Sequence, residues 1–129
     1  MVIVENVEYI DAKSASEHLS GGVFRYCTFS TFAIEGEHID AVFIGCTFQD
    51  LDWYWGLFNG CLFVECKFHG CVFRGTSFPD TKFVECEFAH CRFVKDNLNG
   101  DCTAEQAKWY GCTVQECQGI DALMLYSVP

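Results

Sequence analysis

The sequence predicts an all-β repeat fold built from coils of about 20 residues, each made of four five-residue segments. Three observations carry that reading. Phe43, Phe48, Phe58, Phe63, Phe68, Phe73, Phe78, Phe83, Phe88 and Phe93 share one five-residue phase, and Trp53 and Leu98 fill its two remaining slots. Two residues before these positions the side chain is usually small: Ala41, Cys46, Cys61, Cys66, Cys71, Thr76, Thr81, Cys86 and Cys91. A longer period lies on top, with VFRYCTF starting at Val23, VFIGCTF at Val42, LFVECKF at Leu62, KFVECEF at Lys82 and a degenerate TAEQAKW at Thr103, in steps of 19, 20, 20 and 21 residues. A period of five matches neither the α-helix nor a simple alternating strand. The uneven steps predict one deletion within residues 35–40 and one insertion at the Asn99–Gly100–Asp101 turn.

The C-x-F pentads, densest in CLFVECKFHGCVFRG, resemble those of the pentapeptide-repeat proteins over about residues 22–122. That resemblance implies a right-handed, four-sided β-helix (a solenoid) of about five coils, with Phe at the central inward position and a small residue two before it. The other three residues of each pentad then point outward. Stacked coils lie about 4.8 Å apart, the spacing of hydrogen-bonded strands. Four inward ladders are expected. They are Phe24, Phe43, Phe63, Phe83, Ala104; Phe29, Phe48, Phe68, Phe88, Trp109; Ile34, Trp53, Phe73, Phe93, Val114; and Ile39, Phe58, Phe78, Leu98, Gly119. Cys27, Cys46, Cys66, Cys86 and Ala107 are expected to form one small-residue ladder. The first and last coils depart from the pattern, with Phe32 and Glu37 at small positions and Ala104, Val114 and Gly119 where Phe belongs. Gly36, Gly45, Gly56, Gly60, Gly70, Gly75, Gly100 and Gly111 are assigned to corners.

A solenoid exposes strand edges at both ends, which need covering. Residues 1–21 are therefore read as an N-terminal cap, with a strand over 2–10 and a short helix over 12–19. Residues 22–122 form the β-helix, and the tail 123–129 closes the last coil or pairs with a second copy.

Composition narrows the function. Half of the 129 residues are apolar and 16% are aromatic, enough for a real core. A net charge of −10 disfavours nucleic-acid binding and docking on anionic lipid. No apolar run has the length of a membrane span, and MVIVENVEYIDAK does not read as a secretion signal, so a cytoplasmic location is expected. The 10 cysteines follow the Phe phase and behave as small apolar side chains, so free thiols are expected, with no disulfide framework. Spacings of five, as in Cys61, Cys66 and Cys71, are not those of a zinc site, and no metal or cofactor is expected. His69 and His90 lie near Glu87, but a filled tube offers no substrate cavity, and no catalytic motif appears.

The outward positions are left to carry function. Val23, Val42 and Leu62 stack in one column, and Ile44, Val64 and Val84 in the next, with Glu65 and Glu85 beside them. Such a stripe marks either a partner or dimer contact, or only residues that suit strands. Tyr54 and Trp55 project outward as interface anchors, or pack under a corner loop. The expected function is a non-enzymatic protein-interaction scaffold. The alternatives are an acidic DNA mimic acting on DNA gyrase or type II topoisomerase, as the resemblance implies for the quinolone-resistance type, and an immunity protein that neutralises a toxin.

Overall fold

The computed structural model describes residues 2–124. The chain winds into a column whose flat sides are parallel sheets. The first side holds six strands: Ile3–Glu5, Val23–Arg25, Val42–Ile44, Leu62–Val64, Lys82–Val84 and Lys108–Tyr110. The second also holds six: Glu8–Tyr9, Thr28–Ser30, Thr47–Gln49, Lys67–His69, Glu87–Ala89 and Thr113–Gln115. The third holds four: Ala33–Glu35, Asp52–Tyr54, Val72–Arg74 and Arg92–Val94. The fourth pairs His38–Ile39 with Leu57–Phe58 and continues through single bridges at Ser77 and Thr103. This is an all-β solenoid with few helices. Among the described residues no helix is long and apolar enough to cross a membrane.

The core follows from the five-residue phase. Phe43, Phe63 and Phe83 face inward on successive rungs of the first side, with ring centroids 4.8 and 5.0 Å apart and interplanar angles of 5°. Rings on neighbouring sides meet edge to face, as Phe63 meets Phe68 at 5.3 Å and 66°. Both arrangements are favoured geometries for aromatic pairs. The small residue two places earlier has a second task beyond its size. The Cys66 thiol donates to the Phe43 carbonyl at 3.3 Å, Cys86 to Phe63 at 3.4 Å, and the Thr81 hydroxyl to Phe58 at 2.8 Å. These bonds tie each small side chain to the backbone of the coil before it. All ten cysteines are free. Burial pushes the Cys61 thiol up to about 12 from its ordinary 9.0.

Most corners turn on one residue in the left-handed region. Gly45, Gly60 and Gly70 supply it without penalty, but Glu65, Glu85, Trp55, Asp50 and His90 adopt it as well, at φ 52 to 57. Gly56 is not a corner residue. It fills a small inward slot, where an added Cβ would sit 3.4 Å from Thr76 Cγ2.

The N-terminal segment consists of strands and a short helix, and its strands also join the stack. Residues 3–9 are strands in register with the next coil, Val4 beside Phe24 and Tyr9 beside Phe29, so they already stack as half a coil. Helix α1 (Ala12–Ser16), N-capped by Asp11, replaces the other half and buries Ala15. No earlier strand lies against Ala33 and His38, which leaves Phe32 and Glu37 room at nominally small positions.

The insertion lies where the sequence placed it, but it is larger. Trp109, not Ala104, stacks on Phe83, at 4.2 Å. Val114 follows Phe88, and Ala104 joins the side of Phe78 through the Ser77–Thr103 bridge. The Cys ladder accordingly ends on Cys112, whose thiol donates to Phe83, and not on Ala107. Leu98 is 78% exposed on the inserted loop instead of buried. Helix α2 (Ile120–Met124) closes the last coil with Ile120 and Leu123 buried. The rest of the tail assigned to 123–129 lies beyond the described residues. The column is solid, but a depression of about 670 Å³ opens beside it, between the loop and α2, with Lys95, Asp101, Glu105 and Ala122 among its lining residues. That depression corrects the expectation of no cavity, which considered the tube and not the inserted loop.

Candidate functional site

The first side carries the apolar stripe. Its register sets Val23, Val42 and Leu62 in one outward column and Ile44, Val64 and Val84 in the next. These six are half-buried, because each is covered along the strand by its neighbours one rung away. The structure extends the stripe by residues that sequence reasoning left out. Ile3 continues the first column, at 57% exposure, and Tyr110 continues the second, at 40%. Tyr26, a corner residue, lays its ring over Gly45, where a Cβ would fall 2.7 Å from the ring. The signal for Ile3 and Tyr110 was their outward phase. It was masked at Tyr110 by the size of the insertion.

The charges around the stripe are ordered. Glu65 and Glu85 stand exposed at successive corners along one long edge. The first column ends in Lys82 and Lys108, which stack on each other. Arg25 heads the second column, 3.7 Å from Glu5 and 5.9 Å from the Tyr26 ring centroid.

Tyr54 and Trp55 do not join this stripe. They belong to the third side and its corner, where they hold the inserted loop. The Trp55 indole N–H donates to Asp96 at 2.7 Å, and the Tyr54 hydroxyl accepts from the Asn97 N–H at 2.9 Å. Asp96 also accepts from the N–H groups of Leu98 and Gly100, at 2.8 and 2.7 Å. The Gly100 N–H and the Trp55 indole hold the Asp96 carboxyl below its ordinary 3.8. Both side chains hold the loop from the outer face of the column, with Trp55 still 38% exposed.

The remaining polar candidates do not converge. His69 pairs with Glu87 at 2.6 Å, and His90 with Glu116 at 3.1 Å, so each imidazole has its own carboxylate. Among the described residues no group of three or more His, Cys, Asp or Glu is arranged to hold a metal ion.

Parallel coils of pentads, a phenylalanine column and inward Cys or Thr define a class of protein. Residues 58–100 match the family model of pentapeptide repeats, in eight copies. Residues 58–100 of the chain are therefore pentapeptide repeats, and the same stacking runs from Ile3 to Gln118. Among solved structures it is similar to a trypsin-treated variant of QnrB1, a plasmid-mediated fluoroquinolone resistance protein. That match has 14% identity and a TM-score of 0.51, and covers 89% of this chain and 69% of that one. A second similar structure is Rfr23, a pentapeptide repeat protein from the cyanobacterium Cyanothece 51142, with 8% identity, a TM-score of 0.47 and coverage of 90% and 86%. No curated protein matches the sequence.

Proposed function

We propose that the protein is a non-enzymatic interaction scaffold that seats a protein partner on its first side. The observation that carries this reading is the continuous apolar stripe from Ile3 to Tyr110, on a face that the solid column holds flat and rigid. A contiguous apolar patch rimmed by charge is the usual mark of an interface. Order comes from the column beneath, so little conformational entropy is lost when a partner docks.

The test replaces Ile44, Val64 and Val84 with Ser together. The expected variant keeps its circular dichroism and melts within a few degrees of the parent, while its self-association or its yield of co-purified partner falls. Light scattering separates a second copy of the chain from a different protein. A collapse of thermal stability would show that the stripe serves only the strands.

A second reading is favoured by the net charge of −10: an acidic DNA mimic that binds a type II topoisomerase such as gyrase. The fold shared with a fluoroquinolone resistance protein suits it. Arg25, Lys82 and Lys108 interrupt the acids on the first side and weigh against it. Inhibition of gyrase supercoiling at micromolar protein is the expected result on this reading, and inertness at that dose removes it.

A further inference from the structure

Thiols far apart in the sequence are neighbours in the column. Cys27, Cys46, Cys66, Cys86 and Cys112 occupy the same inward corner slot on successive coils, and Cys71, Cys91 and Cys117 share a second one. Most of these are sealed, with Cys46, Cys66, Cys86 and Cys91 at 1% exposure or less. The last coil differs. Cys112 and Cys117 are only half-buried, because no further coil stacks on them. The register sets each beside a buried thiol of the coil before: Cys112 beside Cys86, and Cys117 beside Cys91, whose N–H donates to the Cys117 sulfur at 3.4 Å. The backbone ties both rungs, through Thr113 N–H to Cys86 at 3.0 Å and Gln118 N–H to Cys91 at 2.9 Å.

We propose that the two rungs Cys86–Cys112 and Cys91–Cys117 are binding sites for a soft monovalent d¹⁰ cation of the Cu(I) type, each held linearly between two thiolates. The argument is one of length and hardness. Two metal–thiolate bonds of about 2.3 Å set end to end span about 4.6 Å. Neighbouring strands lie about 4.7–4.9 Å apart, so a linear bridge fits between stacked coils with little backbone movement. Thiolate sulfur prefers soft cations. Two ligands are too few for zinc, which takes four, and among the described residues no group of three or more His, Cys, Asp or Glu is arranged to hold a metal ion. Each site forms by the loss of one proton from each thiol to solvent and the making of two S–Cu bonds, with no change of oxidation state. Glu85, next to Cys86 in the chain, stands exposed, and its carboxylate favours the approach of a cation.

Cys102 supplies an internal control. It is half-buried on the same last coil, but it stacks on Thr76, whose N–H donates to its sulfur at 3.4 Å. It has the exposure of the other two without a thiol beneath.

The experiment titrates the whole chain with Cu(I) under anaerobic conditions, against bathocuproine disulfonate as competing chelator. The expected wild-type result is two bound ions, tighter binding at higher pH, and an X-ray absorption spectrum with two sulfur neighbours. Cys112→Ser and Cys117→Ser are each expected to remove one ion, and the double variant to bind at least tenfold more weakly. Cys102→Ser is expected to stay within twofold of wild type. Circular dichroism of each variant reports folding, and Cys112→Ala and Cys117→Ala repeat the test without a hydroxyl. The proposal is overturned if wild type withdraws no Cu(I) from the chelator, if the double variants bind as tightly as wild type, or if Cys102→Ser loses as much as they do.

Discussion

The third and fourth coils, from Leu62 to Val94, and the coil that follows Lys95 are written in the same five-residue grammar and packed differently. In the former, Phe63, Phe68, Phe73, Phe78, Phe83, Phe88 and Phe93 are at most 7% exposed, and the stacked rings lie 4.7 to 5.0 Å apart. In the latter, the inward positions are Ala104, Trp109, Val114 and Gly119, and Val114 is 40% exposed. The central rungs are stabilised from both sides. The last has a neighbour on one side only, and Ile120 and Leu123 of the closing helix stand in for the next coil. Side-chain size in a stack follows the number of coils that cover it, not the phase alone.

The largest expected effect follows directly. Phe63→Ala should destabilise by about 3–5 kcal/mol, because a fully buried ring leaves a cavity between two rigid rungs. Val114→Ala should cost less than about 1 kcal/mol, the range of a partly exposed truncation. Denaturant melts of the two variants check both, and equal losses would erase the contrast between the coils.

The next effect is in pH. The raised Cys61 thiol contributes stability that is fully present below 9.0 and is lost as pH rises towards about 12, because the unfolded chain releases its proton first. The loss is about 1.4 kcal/mol per pH unit for a thiol of this kind. Melting temperatures taken from pH 7 to 11 should stay level and then fall, and Cys61→Ala should soften the fall.

A smaller effect belongs to the corners. Glu65 is held at φ 53, a conformation that costs a side chain roughly 1–2 kcal/mol, partly offset by the chain entropy that glycine loses on folding. Glu65→Gly should therefore raise stability by up to about 1 kcal/mol. The same change at Thr47, in a strand, should lower it.

The most local effect is at the inserted loop. Asp96→Ala removes the acceptor shared by Trp55, Leu98 and Gly100. Amide exchange at residues 97–100 should rise and the Trp55 emission should change, with the column unaffected. Protonation should produce the same release only below the ordinary 3.8, since the folded carboxyl is held lower.

Much of this fold is legible in the residues. The phenylalanine phase alone places the inward ladders of the central coils, and the outward columns at Val42 and Ile44 follow by counting. The register of the last coil was not legible. An insertion of one residue and an insertion of one pentad plus one residue leave the same phase, so Ala104 and Trp109 compete for the place above Phe83. Ring size decides in favour of Trp109, and spacing cannot. The corner roles of Glu65 and Glu85 were hidden because a carboxylate does not announce a left-handed backbone as glycine does. The loop-holding task of Tyr54 and Trp55 depends on Asp96, which lies 41 residues on from Trp55 with no pattern linking the two.

The account rests on the burial of the residues two before each ring, and thiol labelling reads that burial directly. Native protein treated with iodoacetamide and mapped by mass spectrometry should react at Cys102, Cys112 and Cys117. Cys27, Cys46, Cys61, Cys66, Cys71, Cys86 and Cys91 should stay unmodified until the whole chain unfolds. Rapid labelling of Cys66 or Cys71 in the folded protein, or disulfides among the seven, would contradict the solid column.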